Sequence, residues 1–94
     1  MRDSEKLARV FKVLSVESRI RMIELLKKRS LCVNALAGKL GITAAAVSQH
    51  LRVLRDANIV TANKKGYFVH YRVNNEVLSR WQKLTGKLLQ PEVE

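Results

Sequence analysis

The segment NALAGKLGITAAAVSQHLRVLRDAN, residues 34–58, gives the strongest indication of how this chain folds. Its spacing of apolar residues predicts a short helix over residues 34–40. Gly41 ends that helix, because glycine accepts the left-handed backbone conformation found there. Thr43 then caps a longer helix from residue 44 to about residue 58. Two helices joined by three residues around a glycine are typical of a helix-turn-helix.

The longer helix is amphipathic, with an inner apolar stripe and a polar outer face. The inner stripe is Val47, Leu51 and Leu54, and the outer face carries Ala45, Ser48, Gln49 and Arg52 with His50 beside them. Ser and Gln can hydrogen-bond base edges, and an alanine methyl can touch thymine. Arg52 and Arg55 are better placed for phosphates. A helical hairpin that only builds a core would not need such a face, so the pattern favours DNA binding.

On the N-terminal side of this motif the periodicity predicts two more helices. The first covers about residues 4–14, and Ser15 is a plausible cap for the second, which closes at Lys27, Lys28 and Arg29. Cationic residues suit that end because the peptide dipoles leave partial negative charge there. A short extended stub over 30–33 follows, and Asn34 is expected to cap the third helix.

On the C-terminal side the period changes from helical to alternating. Residues 59–63 predict a strand, 64–66 a turn with a glycine, and 67–73 a returning strand. Asn74 is expected to cap a last helix over residues 75–89. The predicted fold class is therefore mainly α with a small β-hairpin. The predicted order is four helices, a hairpin and a fifth helix, with a short strand before the third helix. This is the order of a winged helix-turn-helix.

Charge supports a polyanionic partner. The chain has 94 residues and a net charge of +10. Residues 27–72 carry nine basic side chains and one acidic side chain, Asp56, so this segment accounts for +8 of the net charge. Such a field favours nucleic acid over a neutral partner. No stretch is long and apolar enough to predict a membrane span. The length of the chain predicts one domain over residues 1–94. A cytoplasmic location is also expected, because the single Cys32 cannot form an internal disulfide.

Three phrases of the chain resemble the ArsR/SmtB family of bacterial and archaeal transcriptional regulators. They are FKVLSVESRIRMIELL from Phe11, LCVNALAGKLGITAAAVSQHLRVLRDANIV from Leu31 and GYFVHYRVN from Gly66. The resemblance implies a homodimer joined by the first and last helices. It also implies a fourth helix in the major groove, a hairpin wing near the minor groove, and repression relieved by a metal ion or another inducer.

Apolar stripes on the first and last helices agree with a dimer. The candidate interface residues are Leu7, Val10, Phe11, Leu14, Leu78, Trp81, Leu84 and Leu88. Trp81 is the single tryptophan, and large aromatic side chains are favoured at the centres of interfaces. The alternative is that the last helix packs only within its own subunit.

The metal ligands of the family are not matched. Many members carry Cys-Val-Cys on the third helix, whereas this chain has Cys32-Val33-Asn34, and the last helix has neither His nor Asp. One thiolate cannot make the set of three or four ligands that Zn²⁺ needs. No metal site and no cofactor are therefore predicted. Cys32 is either a small apolar residue or a reactive thiol, and both histidines, His50 and His70, are interpreted as DNA-side or surface groups.

The sequence predicts a sequence-specific DNA-binding regulator that is not an enzyme. The candidate DNA-binding residues are Thr43, Ala45, Ser48, Gln49, His50, Arg52, Arg55, Lys64, Lys65 and Arg72. Double-stranded DNA and a second copy of the chain are the expected partners, and the inducer is not identified. Two alternatives remain open: a non-specific, chromatin-like DNA-binding protein, and a winged-helix module that binds protein or RNA.

Overall fold

The computed structural model describes residues 2–93 and contains five helices and one hairpin in those residues. The elements are α1 (Asp3–Leu14), α2 (Glu17–Lys28), α3 (Val33–Leu40), α4 (Ala44–Asp56), β1 (Val60–Lys65), β2 (Phe68–Val73) and α5 (Asn75–Leu89). This order confirms the predicted winged helix-turn-helix.

The turn between α3 and α4 follows the expected chemistry. Gly41 has φ of 69°, and its N–H donates to the Ala37 carbonyl at 2.9 Å. This satisfies a carbonyl that the end of α3 leaves without a helical partner. The Thr43 hydroxyl accepts a hydrogen bond from the Ala46 N–H at 3.1 Å and so caps α4. Both helix ends at the motif are therefore fixed by local hydrogen bonds.

A continuous apolar core joins α2, α3, α4, the base of the hairpin and the start of α5. The fully covered residues at its centre are Met22, Leu36, Val47, Leu51, Leu54, Ile59 and Val60, each no more than 2% exposed. The inner stripe predicted for α4 is among them. Burial of large aliphatic side chains contributes roughly 1.5–3 kcal/mol each, so this core fixes the position of α4 in the molecule.

The hairpin is antiparallel, with Lys65 opposite Phe68 and Val60 opposite Val73. Its loop is thus Gly66 and Tyr67, which begins two residues and ends one residue later than the predicted turn, because pairing continues through Lys65. Gly66 has φ of 62°, the left-handed value that a two-residue hairpin loop requires at its first position.

The strand stub before α3 is a single bridge to the hairpin. The Leu31 N–H donates to the Tyr71 carbonyl at 3.0 Å, and the Tyr71 N–H donates back at 2.8 Å. The bridge ties the start of the helix-turn-helix to β2. After β2, at the base of the hairpin, the Asn74 side chain caps α5 as predicted and accepts a hydrogen bond from the Glu76 N–H at 3.2 Å.

Two predicted caps are wrong. Ser15 does not cap α2: its hydroxyl donates to the Lys12 carbonyl at 2.8 Å, so it closes α1 instead. Val16 occupies the capping position of α2. Asn34 lies inside the first turn of α3, because that helix already begins at Val33. Helix α2 begins at Glu17, one residue later than a cap at Ser15 would place it. Helix α3 begins at Val33, two residues earlier than a cap at Asn34 would place it.

The end of α4 also differs from the prediction. The helix stops at Asp56, and Asn58 adopts a left-handed conformation with φ of 61°. The Asn58 N–H donates to the Arg55 carbonyl at 2.9 Å, and the Ile59 N–H donates to the Leu54 carbonyl at 3.1 Å. This pair of bonds is the Schellman arrangement, in which Asn replaces the usual glycine. It turns the chain sharply from α4 into the hairpin.

Candidate DNA-binding surface

The outer face of α4 is open to solvent along its length. Ala45, Ser48, Gln49 and Arg52 are all exposed, while Val47 and Leu51 beneath them are buried. A helix of 13 residues is about 20 Å long, which is enough to lie across a major groove. The structure therefore brings the predicted reading residues together on one accessible face.

Ser48, Arg52 and Arg55 also line a shallow polar depression where α4 meets the hairpin. Its other lining residues include Asp56 and Tyr71, and its volume is about 450 Å³. Two guanidinium groups thus stand between the helix face and the wing. Their role as phosphate contacts stays a prediction.

Thr43 lies at the N-terminus of α4 with its hydroxyl already accepting the Ala46 N–H. The residue is exposed, and so are Ala44 and Ala45 after it. A helix N-terminus carries partial positive charge and free N–H groups, which suit a phosphate. Thr43 therefore fixes the N-terminal end of α4, and its contact with DNA stays a prediction.

His50 is not a free member of the outer face. Its ring is half-buried, and Arg19 on α2 donates from Nε to His50 Nδ1 at 3.4 Å. Burial, followed by the positive charge of Arg19, lowers the pKa of His50 from its ordinary value of 6.5. Arg19 also donates to the Val13 carbonyl at 3.2 Å, so one side chain links α1, α2 and α4. Nothing local in the sequence signals this link, because 31 residues separate Arg19 from His50.

The wing carries its basic side chains at the tip and near the base of β2. Lys64, Lys65 and Arg72 are exposed, and the pairing register places Lys65 beside Phe68 and Thr61 beside Arg72. His70 lies between those pairs, opposite Asn63. Arg72 and the tip lysines are therefore separated along the strand, and Arg72 lies nearer the base of the wing.

Two aromatic residues at the wing tip were missed by the sequence analysis. Tyr67 is 100% exposed and Phe68 is 62% exposed. The signal was present, because an aromatic pair directly after Lys-Lys-Gly in a hairpin loop cannot reach the core. Apolar side chains beside lysines at a DNA-facing loop can contact sugars and base edges in a minor groove.

The residues predicted for a dimer interface fall into three groups by exposure. Phe11 is 39% exposed and Leu88 is 54% exposed, whereas Val10 is only 4% exposed. Val10 is thus largely covered within its own protomer, and its place in a dimer interface stays a prediction. The half-buried members of the predicted stripe are Leu7, Leu14, Leu78, Trp81 and Leu84.

Cys32 is half-buried and free, at the residue before α3. Asn34, two residues on, is exposed. Among residues 2–93 no group of three or more His, Cys, Asp or Glu side chains is arranged to hold a metal ion. Across the same residues no helix is long and apolar enough to cross a membrane.

The fold and this surface define a winged-helix DNA-binding protein. The family model described as "Bacterial regulatory protein, arsR family" matches residues 17–62. The transcriptional repressor SdpR of Bacillus subtilis is 32% identical over 69 residues, which cover 73% of this chain and 77% of that protein. The arsenic resistance transcriptional regulator ArsR1 of Pseudomonas putida is 39% identical over 69 residues, covering 72% of this chain and 54% of that protein.

A solved structure agrees with these relatives. The crystal structure of a possible transcriptional regulator for arsenical resistance has a TM-score of 0.79 and 33% identity, and the match covers 86% of this chain and 84% of that one. The chain therefore belongs to the ArsR family of transcriptional regulators. It is a DNA-binding regulator of transcription and not an enzyme.

Proposed function

We propose that this regulator is a homodimeric repressor that binds an imperfect palindrome in promoter DNA. The observation that carries the proposal is the outer face of α4, where Ser48 and Gln49 are exposed above a buried apolar stripe. Neutral hydrogen-bonding side chains can distinguish bases, whereas a non-specific binder needs only cations at that position.

Residues that discriminate between bases are expected on α4 alone, whereas residues that only attract phosphates are expected on both α4 and the wing. Ser48 and Gln49, with Ala45, read base edges in the major groove. Arg52, Arg55, Lys64, Lys65 and Arg72 contact phosphates. Thr43 fixes the helix end near the backbone, and His50 supports α4 from the side through Arg19. Phe68 and Tyr67 add an apolar contact at the wing.

The proposed dimer uses the apolar surface on α1 and α5. Phe11 and Leu88 are exposed, and Leu14, Leu78 and Trp81 belong to the lining of a depression of about 500 Å³ that α2 also lines. An apolar surface of this kind on a short chain is a natural site for a second copy. A two-fold dimer places two copies of α4 in successive major grooves about one helical turn apart, which is why a palindrome is expected.

Sedimentation velocity tests the dimer. A species of twice the chain mass is expected at about tens of micromolar, which is a common working range for dimers of this size. Phe11→Glu should shift the protein to the monomer, while Arg21→Glu on the exposed face of α2 should not. A monomeric wild-type protein at that concentration would contradict the proposal.

Footprinting on the promoter of its own gene tests the DNA half of the proposal. Protection of two half-sites, lost on a scrambled duplex, is expected. Equal protection along random DNA would favour the chromatin-like alternative. Binding to RNA or protein without binding to duplex DNA would favour the interaction-module alternative.

Thiophilic metals are not expected to act through α3. Asn34 stands where the family motif has its second thiolate, so Cys32 has no neighbouring thiol on its own helix. Calorimetric titration with Zn²⁺ should give no stoichiometric, tight binding. A tight site whose occupancy weakens DNA binding would overturn this part of the proposal.

A further inference from the structure

The tip of the wing presents two neighbouring aromatic side chains to solvent. Tyr67 is 100% exposed and Phe68 is 62% exposed, and they are two of the five aromatic residues of the chain. Within residues 2–93, neither ring belongs to the apolar core or to the side chains packed against it. The exposed Lys64 and Lys65 precede them, separated by one glycine. The tip therefore combines apolar area and positive charge that serve no packing within this chain.

The pairing register of the hairpin holds the rings away from the core. Alternate residues of a strand share one face, so Phe68 lies on the opposite face from Val69 and Val73. Val73 is the residue of β2 that is buried, at the base of the hairpin. A slip of one residue would bring Phe68 to the core face but would expose Val73. Tyr67 lies in the loop after Gly66, so the exposure of both rings is built into the register.

The tip lies at a distance from the surface assigned to the dimer. From position 60 at the base to position 65 at the tip the strand advances five residues, which is about 17 Å at about 3.4 Å per residue. Helix α5 begins beyond the base of the hairpin, at Asn75. The surface assigned to the dimer is on α1 and α5, and Tyr67 and Phe68 are not part of it.

The wing is instead continuous with the outer face of α4. Ser48 and Arg52 of α4 and Tyr71 of β2 line the same depression. Tyr71 and Phe68 are three positions apart on β2, so the tip continues from the surface assigned to DNA.

The minor groove of a DNA duplex is complementary to this tip. Phosphates along its edges attract lysines, and an apolar side chain can enter between two base pairs, partly unstack them and bend the duplex. Lysines alone would be enough to attract the phosphates, whereas two aromatic rings need an apolar place to occupy. Pyrimidine–purine steps such as TpA are the steps that unstack most easily.

We propose that Tyr67 and Phe68 form an aromatic wedge that opens a pyrimidine–purine step in the minor groove beside each half-site, so that the wing selects deformable DNA. The inference rests on the proposed function, which places the wing beside the operator contacts of α4. Single bases are still read by hydrogen bonds from α4, and the wing responds to how easily a step unstacks. Insertion of a ring does not need the directional geometry of a hydrogen bond, so a tip without support from the core can perform it.

Two operator duplexes that differ only in the flanking step test this selection. Hydroxyl-radical footprinting assigns the step that the wing covers, and that step is made TpA in one duplex and ApT in the other. The two steps have the same base composition and the same minor-groove acceptors, but TpA unstacks more easily. In fluorescence anisotropy the wild type should bind the TpA duplex at least about fivefold more tightly, as expected for a stacking contact with a base.

Variants at the tip separate the rings from the charge. Tyr67→Ala with Phe68→Ala should bind the two duplexes with equal affinity and melt at the wild-type temperature, because both side chains are exposed. The matched control, Lys65→Gln, removes a charge from the same tip. It should weaken binding to both duplexes alike and keep the preference for TpA. Phe68→Trp retains a ring and should keep the preference as well.

Unstacking has a readout of its own. A 2-aminopurine base in place of the adenine of the TpA step fluoresces more strongly when it leaves the stack. Its emission should rise when the wild type binds and should stay unchanged with the double alanine variant. The same TpA and ApT pair is also placed in scrambled duplexes, so that the wedge and the recognition of the operator are measured separately.

The outcomes distinguish the wedge from the proposed function. Equal affinity of the wild type for the TpA and ApT duplexes, no rise in emission, or a preference that persists in the double alanine variant would each overturn the wedge. Specific operator binding would then leave the proposed function standing. Equal binding of operator and scrambled duplexes would contradict the proposed function, and a preference for TpA in both would still support the wedge. Binding to phosphatidylglycerol vesicles that depends on the two rings, without any preference for TpA, would assign the tip to a lipid surface and overturn the inference.

Discussion

Helix α4 and the hairpin tip face solvent together but are held very differently. Beneath α4, Val47, Leu51 and Leu54 are each at most 2% exposed, and the helix is closed at both ends by hydrogen-bonded caps. The hairpin is buried only at Val60 and Val73, at its base. A side chain on α4 therefore has a fixed position relative to the core, while one at the tip does not.

The chemistry on the two elements matches that difference in support. Base recognition depends on hydrogen-bond geometry, so it suits Ser48 and Gln49 on the anchored helix. Attraction to phosphate depends mainly on distance and tolerates displacement, so it suits Lys64 and Lys65 on the tip. The comparison indicates that contacts that need precise geometry are confined to the element that the core holds firmly, whereas tolerant phosphate contacts occur on both elements, at Arg52 and Arg55 on α4 and at the lysines of the tip.

The largest effect is expected from loosening the anchor of α4. Leu54→Ala should lower the free energy of unfolding by about 2–5 kcal/mol, because it leaves a cavity below the helix. Leu54 is 0% exposed. Urea denaturation at a fixed protein concentration measures the change, since the stability of a dimer depends on concentration.

The matched change on the wing is Tyr67→Ala. Because Tyr67 is fully exposed, the free energy of unfolding should not change. Operator binding should nevertheless weaken if the aromatic tip contacts DNA. A destabilised Tyr67→Ala protein, or a Leu54→Ala protein as stable as the wild type, would remove the contrast on which this comparison depends.

The next effect concerns specificity. Gln49→Ala should weaken operator binding by about 1–3 kcal/mol and random-duplex binding little, because it removes a base contact and leaves the phosphate contacts in place. Fluorescence anisotropy with operator and scrambled duplexes measures both. Equal weakening on the two duplexes would show that α4 does not read sequence at this position.

Much of this contrast is visible in the sequence, since it arises from local patterns. The apolar period of α4, the left-handed Gly41 and the caps at Thr43 and Asn74 all depend on neighbouring residues, and the structure confirms each of them. The end of α4 was misplaced because Asn58 takes a conformation that glycine usually adopts. Local propensity does not reveal when asparagine will do so.

What the sequence could not supply is contact between distant segments. The hydrogen bond from Arg19 to His50 joins residues on α2 and α4 that no periodicity connects. The burial of Val10 depends in the same way on how α1 lies against α5. The cluster of five cations on α1 and α5 could not be predicted from the sequence either, because the fold brings together two helices from opposite ends of the chain. These cations are Lys6, Arg9, Lys12, Arg80 and Lys83.

A smaller effect is expected from the charges of the wing. Lys65→Ala should weaken binding to operator and scrambled DNA alike, and the slope of log K against log salt should flatten by about one for each subunit contact. The control is Lys28→Ala, an exposed lysine on α2 outside the proposed DNA surface. A Lys65→Ala protein that loses affinity only for the operator would assign sequence reading to the wing and reverse the comparison.

The smallest effect concerns pH and the lateral support of α4. Burial and the neighbouring Arg19 hold the pKa of His50 below 6.5, so the folded protein binds fewer protons here than the unfolded chain just below that pH. Stability from this group is therefore present above the unfolded pKa and is lost as the pH falls below 6.5 toward the lowered value. Protonation of Nδ1 would also abolish its ability to accept from Arg19.

Thermal unfolding between about pH 7.5 and about pH 5.5 tests this linkage. The melting temperature of the wild type should fall further over that interval than that of His50→Gln. This variant keeps a polar side chain but cannot gain the proton. His70→Gln, on the wing and without a hydrogen bond from an arginine among residues 2–93, is the matched control and should follow the wild type. A steeper fall in His50→Gln than in the wild type would mean that the proton strengthens the contact with α2. Helix α4 would then be held more firmly in acid, and the stated direction of the pH dependence would be wrong.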